Sequence, residues 1–80
     1  MAIIQFFGRI SDIMGHEITF NIPEAGLKLS QLRETLSSSH DCADLELASI
    51  RAALNDEITE EDLFVGPQDT VAFFSPLSGG

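Results

Sequence analysis

Apolar residues arrive in three rhythms along this chain, and each rhythm predicts a different element. Residues 2–8 (AIIQFFG) form a dense apolar run, too short for an independent helix and rich in Ile and Phe, which predicts a strand closed by Gly8. Residues 9–15 are expected to turn. The segment 16–22 then alternates, with Ile18, Phe20 and Ile22 separated by polar positions. That is the period of a half-buried strand, and Pro23 stops it. Together the two segments predict an N-terminal hairpin.

Beyond Gly26 the spacing changes. Leu29, Leu32 and Leu36 recur at intervals of three and four, with Gln31, Arg33, Glu34 and Thr35 between them, which predicts one amphipathic helix. Ser30 is the local N-cap candidate, although Arg33 stands where a capping box needs Glu or Gln. Ser37-Ser38-Ser39 is expected to end the helix, because short hydroxyl side chains compete for backbone groups. Residues 40–48 carry no clear period.

The segment 49–54 reads as a third strand, Asn55-Asp56 as a turn, 57–59 as a short strand, and Glu60-Glu61-Asp62 as a solvated acidic bend. Gly66-Pro67-Gln68-Asp69 is the strongest turn signal and launches residues 70–75 as the last strand. Pro76 cannot continue a ladder, so the expected organisation is one domain over 1–75 followed by a flexible Gly-Gly tail over 76–80. The order strand, strand, helix, strand, short strand, strand makes the fold class α+β. It is the β-grasp order of a mixed sheet with one main crossover helix.

Composition narrows the function. Eighty residues with 44% apolar content fill one modest core and leave little volume for a deep substrate cleft. Function at a surface or a terminus is therefore expected. Four Lys plus Arg against 13 Asp plus Glu give a formal charge of −9, which repels nucleic acid and anionic membranes and favours a basic protein surface. One cysteine, Cys42, forms no internal disulfide and cannot hold a four-cysteine iron–sulfur cluster, and a reducing cytoplasm fits it best. The apolar start lacks the basic region of a signal peptide, and no run approaches the roughly 20 residues that span a bilayer. A soluble cytoplasmic protein is expected.

The candidate chemistry lies at the end of the chain. Gly79-Gly80 is the last pair of the sequence, two residues beyond an apolar strand and a proline. An enzyme that activates a terminal carboxylate must thread it through a narrow channel beside ATP, and glycine alone has no Cβ to collide with the walls. Once the carboxylate is a mixed anhydride with AMP, sulfur can displace the nucleotide and leave a thiocarboxylate at Gly80.

The segment VAFFSPLSGG closely resembles the C-terminus of the MoaD/ThiS family of ubiquitin-like sulfur carriers, nearest its molybdopterin synthase small subunits. IIQFFGRI, LSQLRETL, AALNDE and GPQDTVAFF also fall where that family has counterparts. The resemblance implies a β-grasp fold and adenylation by a ubiquitin-activating-type adenylyltransferase that uses ATP, with no cofactor bound to this chain. It implies a sulfur donor such as a desulfurase and a thiocarboxylate at Gly80. It also implies a molybdopterin synthase large subunit that supplies the catalytic side chains and passes the sulfur to cyclic pyranopterin monophosphate. The chain is then a sulfur-donating subunit, not an enzyme by itself. Ser75 stands where the molybdopterin-type subunits commonly have a second proline, and Lys28 where they often have a capping Thr.

Strand parity adds a partner surface. Ile4, Phe6, Val71 and Phe73 are predicted to face the core, leaving Phe7 and Phe74 on the open face. Phe7, Phe74, Pro76 and Leu77 are expected to form an apolar dock, with Ser78 and Gly79 in the partner's channel.

Rival readings keep the same tail. Thiamine thiazole formation, tRNA thiolation or cysteine synthesis would use the same thiocarboxylate, a ubiquitin-like modifier would join Gly80 to lysines, and a non-covalent β-grasp module would not need Gly80. His40-Asp41-Cys42 and Asp44 match no closed metal spacing, Glu60-Glu61-Asp62 lacks the ligand alternation of a calcium loop, and Ser37 to Ser39 lack a hydrolase setting.

Overall fold

A computed structural model describes residues 1–46 and 50–75. Its core follows from parity on two strands. Strand β1 (Ala2–Phe7) buries Ala2, Ile4 and Phe6, and β7 (Thr70–Phe74) buries Val71 and Phe73, all on one face. The two strands run parallel with Ile4 opposite Val71 and Phe6 opposite Phe73. The rings of Phe6 and Phe73 stack with centroids 6.1 Å apart, an offset arrangement that aromatic quadrupoles favour.

The other strands extend this pair. β2 (Glu17–Phe20) pairs antiparallel with β1, completing the predicted hairpin. β4 (Arg51–Leu54) pairs antiparallel with β7, and β5 (Glu57–Thr59) closes the far edge, giving the order β2-β1-β7-β4-β5. A helix, α2 (Leu29–Ser39), covers one face with Leu29, Leu32 and Leu36. The result is a β-grasp fold.

Several local expectations are corrected. Residues 9–15 are not a plain turn: Ile10–Met14 forms a single-turn helix, α1, that drops Ile10 and Met14 into the core at a spacing of four. Ser30 is not the N-cap of α2 but its second helical residue, because Lys28 holds the extended cap position. The orphan N–H groups are satisfied from afar. Leu29 N–H donates to the Leu63 carbonyl, while the N–H and hydroxyl of Ser30 donate to the two oxygens of Asp62 at 2.8 and 2.7 Å. A two-residue ribbon, β3 (Leu27–Lys28) against β6 (Phe64–Val65), brings that segment to the helix start.

The helix does end on the three serines, with Ser39 its last residue. His40 is its C-cap, and Asp41 follows with a left-handed φ of 51°, Cys42 N–H donating to the Ser37 carbonyl five residues back. This is a Schellman closure built on Asp instead of Gly. Cys42 and Leu45 then anchor the unpatterned stretch, where Ala43–Glu46 forms one 3-10 turn. The third strand begins at Arg51; Ser49, where it was expected to start, lies outside the described residues. Arg33 ties the helix to this strand, donating to the Ile50 carbonyl at 2.9 Å with its guanidinium over the Phe73 ring. Burial lowers the Arg33 pKa from its ordinary value, against the opposing charge of Asp62.

The end of the sheet where β7 begins is locked by polar groups. Asn55 and Asp56 both have positive φ, 49° and 71°, as a two-residue type I′ hairpin between β4 and β5 requires. Asn55 exchanges bonds with the Thr70 backbone and donates from its amide to Asp69 Oδ1 at 3.1 Å. Asp69 Oδ2 accepts the Gly66 N–H at 2.7 Å. The Gly66 N–H and then the Asn55 amide hold the Asp69 carboxyl below its ordinary value. No helix among the described residues is long and apolar enough to cross a membrane.

Candidate functional site

The opposite end of the sheet, where β7 finishes, is built differently. Phe7 and Phe74 are register partners across the parallel β1–β7 pair, so their side chains lie side by side on the face away from α2. Phe7 is 52% exposed and Phe74 half-buried, so the aromatic pair expected on the open face is uneven in its exposure. The cause is neighbour coverage. β2 pairs with β1 only as far as Gln5 and leaves Phe7 bare on that side, whereas Phe74 is flanked by Phe7 and by Arg51 of β4.

Small residues continue the face. Ala72 and Ala53 are register partners behind the Phe pair, and Ile58, 69% exposed, stands opposite Ala53 on the edge strand. The surface is thus an apolar strip from Phe7 to Ile58, bordered by Arg51, which pairs with Glu60. Glu60 and Asp62 of the expected solvated bend are both committed, to Arg51 and to the helix start.

Sequence reasoning missed the contacts next to this patch. Gly8 closes β1 with φ +76°, and its carbonyl accepts both the N–H and the hydroxyl of Ser11, at 3.0 and 2.7 Å. The turned peptide aims the Arg9 N–H at the Ser75 hydroxyl oxygen, 3.0 Å away. Ser75 N–H in turn donates to the Phe7 carbonyl at 3.4 Å. The only local signal was a glycine directly after the double Phe. Pro76, Leu77, Ser78, Gly79 and Gly80, the remaining predicted site residues, lie outside the described residues.

The discounted cluster at 40–44 is divided by the fold. His40 and Asp41 are exposed, while Cys42 is buried beneath the helix end. Among the described residues no three His, Cys, Asp or Glu side chains are grouped to hold a metal ion.

Comparison with known proteins places this geometry. Among solved structures the chain is similar to SAMP1 from Haloferax volcanii, at 19% identity and a TM-score of 0.76, covering 99% of this chain and 98% of that one. It is also similar to a Pyrococcus furiosus protein assigned provisionally as molybdopterin converting factor, subunit 1. There the identity is 22% and the TM-score 0.79, over 95% of this chain and 97% of the other. At these identities the two neighbours show the ubiquitin-like fold. The sequence itself matches the ThiS family over residues 4–80, and over that extent the chain belongs to this family of ubiquitin-like sulfur carriers.

Proposed function

We propose that this carrier is the sulfur-donating small subunit of a molybdopterin synthase. The observation that carries the reading is the apolar Phe7–Phe74 pair, register partners immediately before Ser75, from which five residues lead to Gly80. Docking and delivery then sit at one end of the sheet. The name of the Pyrococcus neighbour points to the same pathway.

The chemistry requires nothing bound to this chain. The Gly80 carboxylate attacks the α-phosphorus of ATP held by a ubiquitin-activating-type adenylyltransferase, releasing pyrophosphate and forming an acyl-adenylate. Hydrosulfide displaces AMP at the Gly80 carbonyl carbon and leaves a thiocarboxylate directly; a desulfurase persulfide displaces AMP to form an acyl disulfide, which a thiol then reduces to the thiocarboxylate with release of a disulfide. Phe7, Phe74, Pro76 and Leu77 dock the carrier on the large subunit, while the narrow Ser78-Gly79-Gly80 segment enters its active site. There the sulfur passes to cyclic pyranopterin monophosphate, with the partner supplying the acid and base groups.

Reconstitution tests this reading. Thiocarboxylated carrier, a molybdopterin synthase large subunit and cyclic pyranopterin monophosphate should together yield molybdopterin. A loaded carrier that binds no large subunit and yields none, yet transfers sulfur to a thiazole, tRNA or cysteine precursor, would move the chain to that pathway. Adducts of Gly80 on protein lysines would make it a modifier.

A further inference from the structure

The last described residue is held more closely than a strand end requires. Ser75 is half-buried, and its hydroxyl oxygen accepts the Arg9 N–H at 3.0 Å, shorter than the 3.4 Å between its own N–H and the Phe7 carbonyl. The donor is fixed in turn, because the Gly8 carbonyl is pinned by two bonds from Ser11. Packing closes the third side. A Cβ on Gly8 would stand 2.7 Å from the Ser75 hydroxyl and 3.0 Å from its carbonyl oxygen, so the two backbones meet only because residue 8 is glycine.

This clasp stands between the Phe7–Phe74 pair and the end of the chain. Five residues from Ser75 to Gly80 reach at most about 17 Å, so the direction taken at Ser75 determines which region the Gly80 carboxyl can sample. A displacement of about 1 Å at a reacting atom can cost on the order of 100-fold in rate. Phe7 supplies both an exposed ring and the carbonyl that receives Ser75, so the aromatic pair and the root of the tail share one residue.

We infer that Ser75 is a positioning residue: its hydroxyl, seated on the Arg9 amide against Gly8, aims the C-terminal segment so that the carrier presents the Gly80 carboxyl to its activating enzyme. The inference rests on the carrier reading and adds to it a residue outside the docking patch and outside the Gly-Gly end. Ser75 acts through orientation, not through contact with ATP.

The test follows ATP–pyrophosphate exchange by a ubiquitin-activating-type adenylyltransferase with the full chain, its Ser75→Ala and its Ser75→Thr variants, alongside hydrogen exchange at the Arg9 amide. In Ser75→Ala the Arg9 amide should exchange faster and kcat should fall about fivefold, the effect of one neutral hydrogen bond, while KM stays within about twofold. Ser75→Thr keeps the hydroxyl and should restore both the protection and kcat. A Ser75→Ala chain with a freed Arg9 amide and normal kcat would overturn the positioning role and leave the carrier reading standing. So would a rise in KM alone, or a loss that threonine does not repair. A wild-type chain that is never adenylated would overturn both.

Discussion

The two ends of the β1–β7 pair are made of opposite materials. Where β7 begins, Asn55, Asp69, Gly66 and Thr70 exchange backbone and side-chain hydrogen bonds that tie two turns together. Where it finishes, the surface is aromatic, with Phe7 exposed beside Phe74 and one serine hydroxyl seated on the adjoining loop. The comparison separates two tasks. Directional polar bonds set the register of a small sheet, and a non-directional apolar end is free to bury itself against a partner.

Mutations should act on these ends unequally. Phe73→Ala removes a fully buried ring of the core between the ends and is expected to lower stability by about 3–5 kcal/mol in urea unfolding. A loss below about 1 kcal/mol would mean that the Phe6–Phe73 stack is not a main support of the core. Asn55→Ala should cost about 1–2 kcal/mol, a fall of roughly 4–8 °C in Tm per kcal/mol, with sulfur acceptance by folded protein unchanged. Impaired sulfur acceptance in that variant at a temperature where it is fully folded would break the division between the ends.

Phe7→Ala reverses the pattern. Its stability should move by less than about 0.5 kcal/mol, while association with the large subunit weakens about tenfold in a titration. Equal affinity for the wild type and the variant would remove Phe7 from the dock.

The smallest effect is a pH dependence at the polar end. Asp69 is held below its ordinary carboxyl value of 3.8 by the Gly66 N–H first and the Asn55 amide second. Its folded pKa is therefore below the unfolded one. The stabilisation is complete above the unfolded pKa of about 3.9 and disappears as pH falls through the folded value. Asp69→Asn should flatten that acid limb. Asp62, lowered chiefly by the Ser30 hydroxyl and then by its N–H, follows the same sign at the start of α2.

What the sequence revealed was governed by range. Period-two burial on β1 and β7, the Leu29-Leu32-Leu36 stripe and the Asn55-Asp56 turn are local patterns, and each stands in the structure as read. The N-cap of the helix was misread because its partner is remote, and the closure after its C-terminus carried no glycine to announce it. Asp62 serves Ser30 from 32 residues away, and Asp41 takes a conformation usually left to glycine. The β3–β6 ribbon is two residues on each side, too short to show a period. At the site, parity placed Phe7 and Phe74 on one face, but their uneven exposure depends on where β2 stops pairing. The bond from Arg9 to Ser75 joins positions 66 apart and had no local signature beyond Gly8.

The central claim concerns one atom, the carboxyl carbon of Gly80. Intact mass spectrometry of the untagged protein, incubated with its activating enzyme, ATP and a sulfur source, tests it most directly. The account predicts exchange of one oxygen for sulfur in the wild type and none in a chain lacking Gly80. A wild-type mass that stays unchanged under conditions where the enzyme loads another carrier would contradict it.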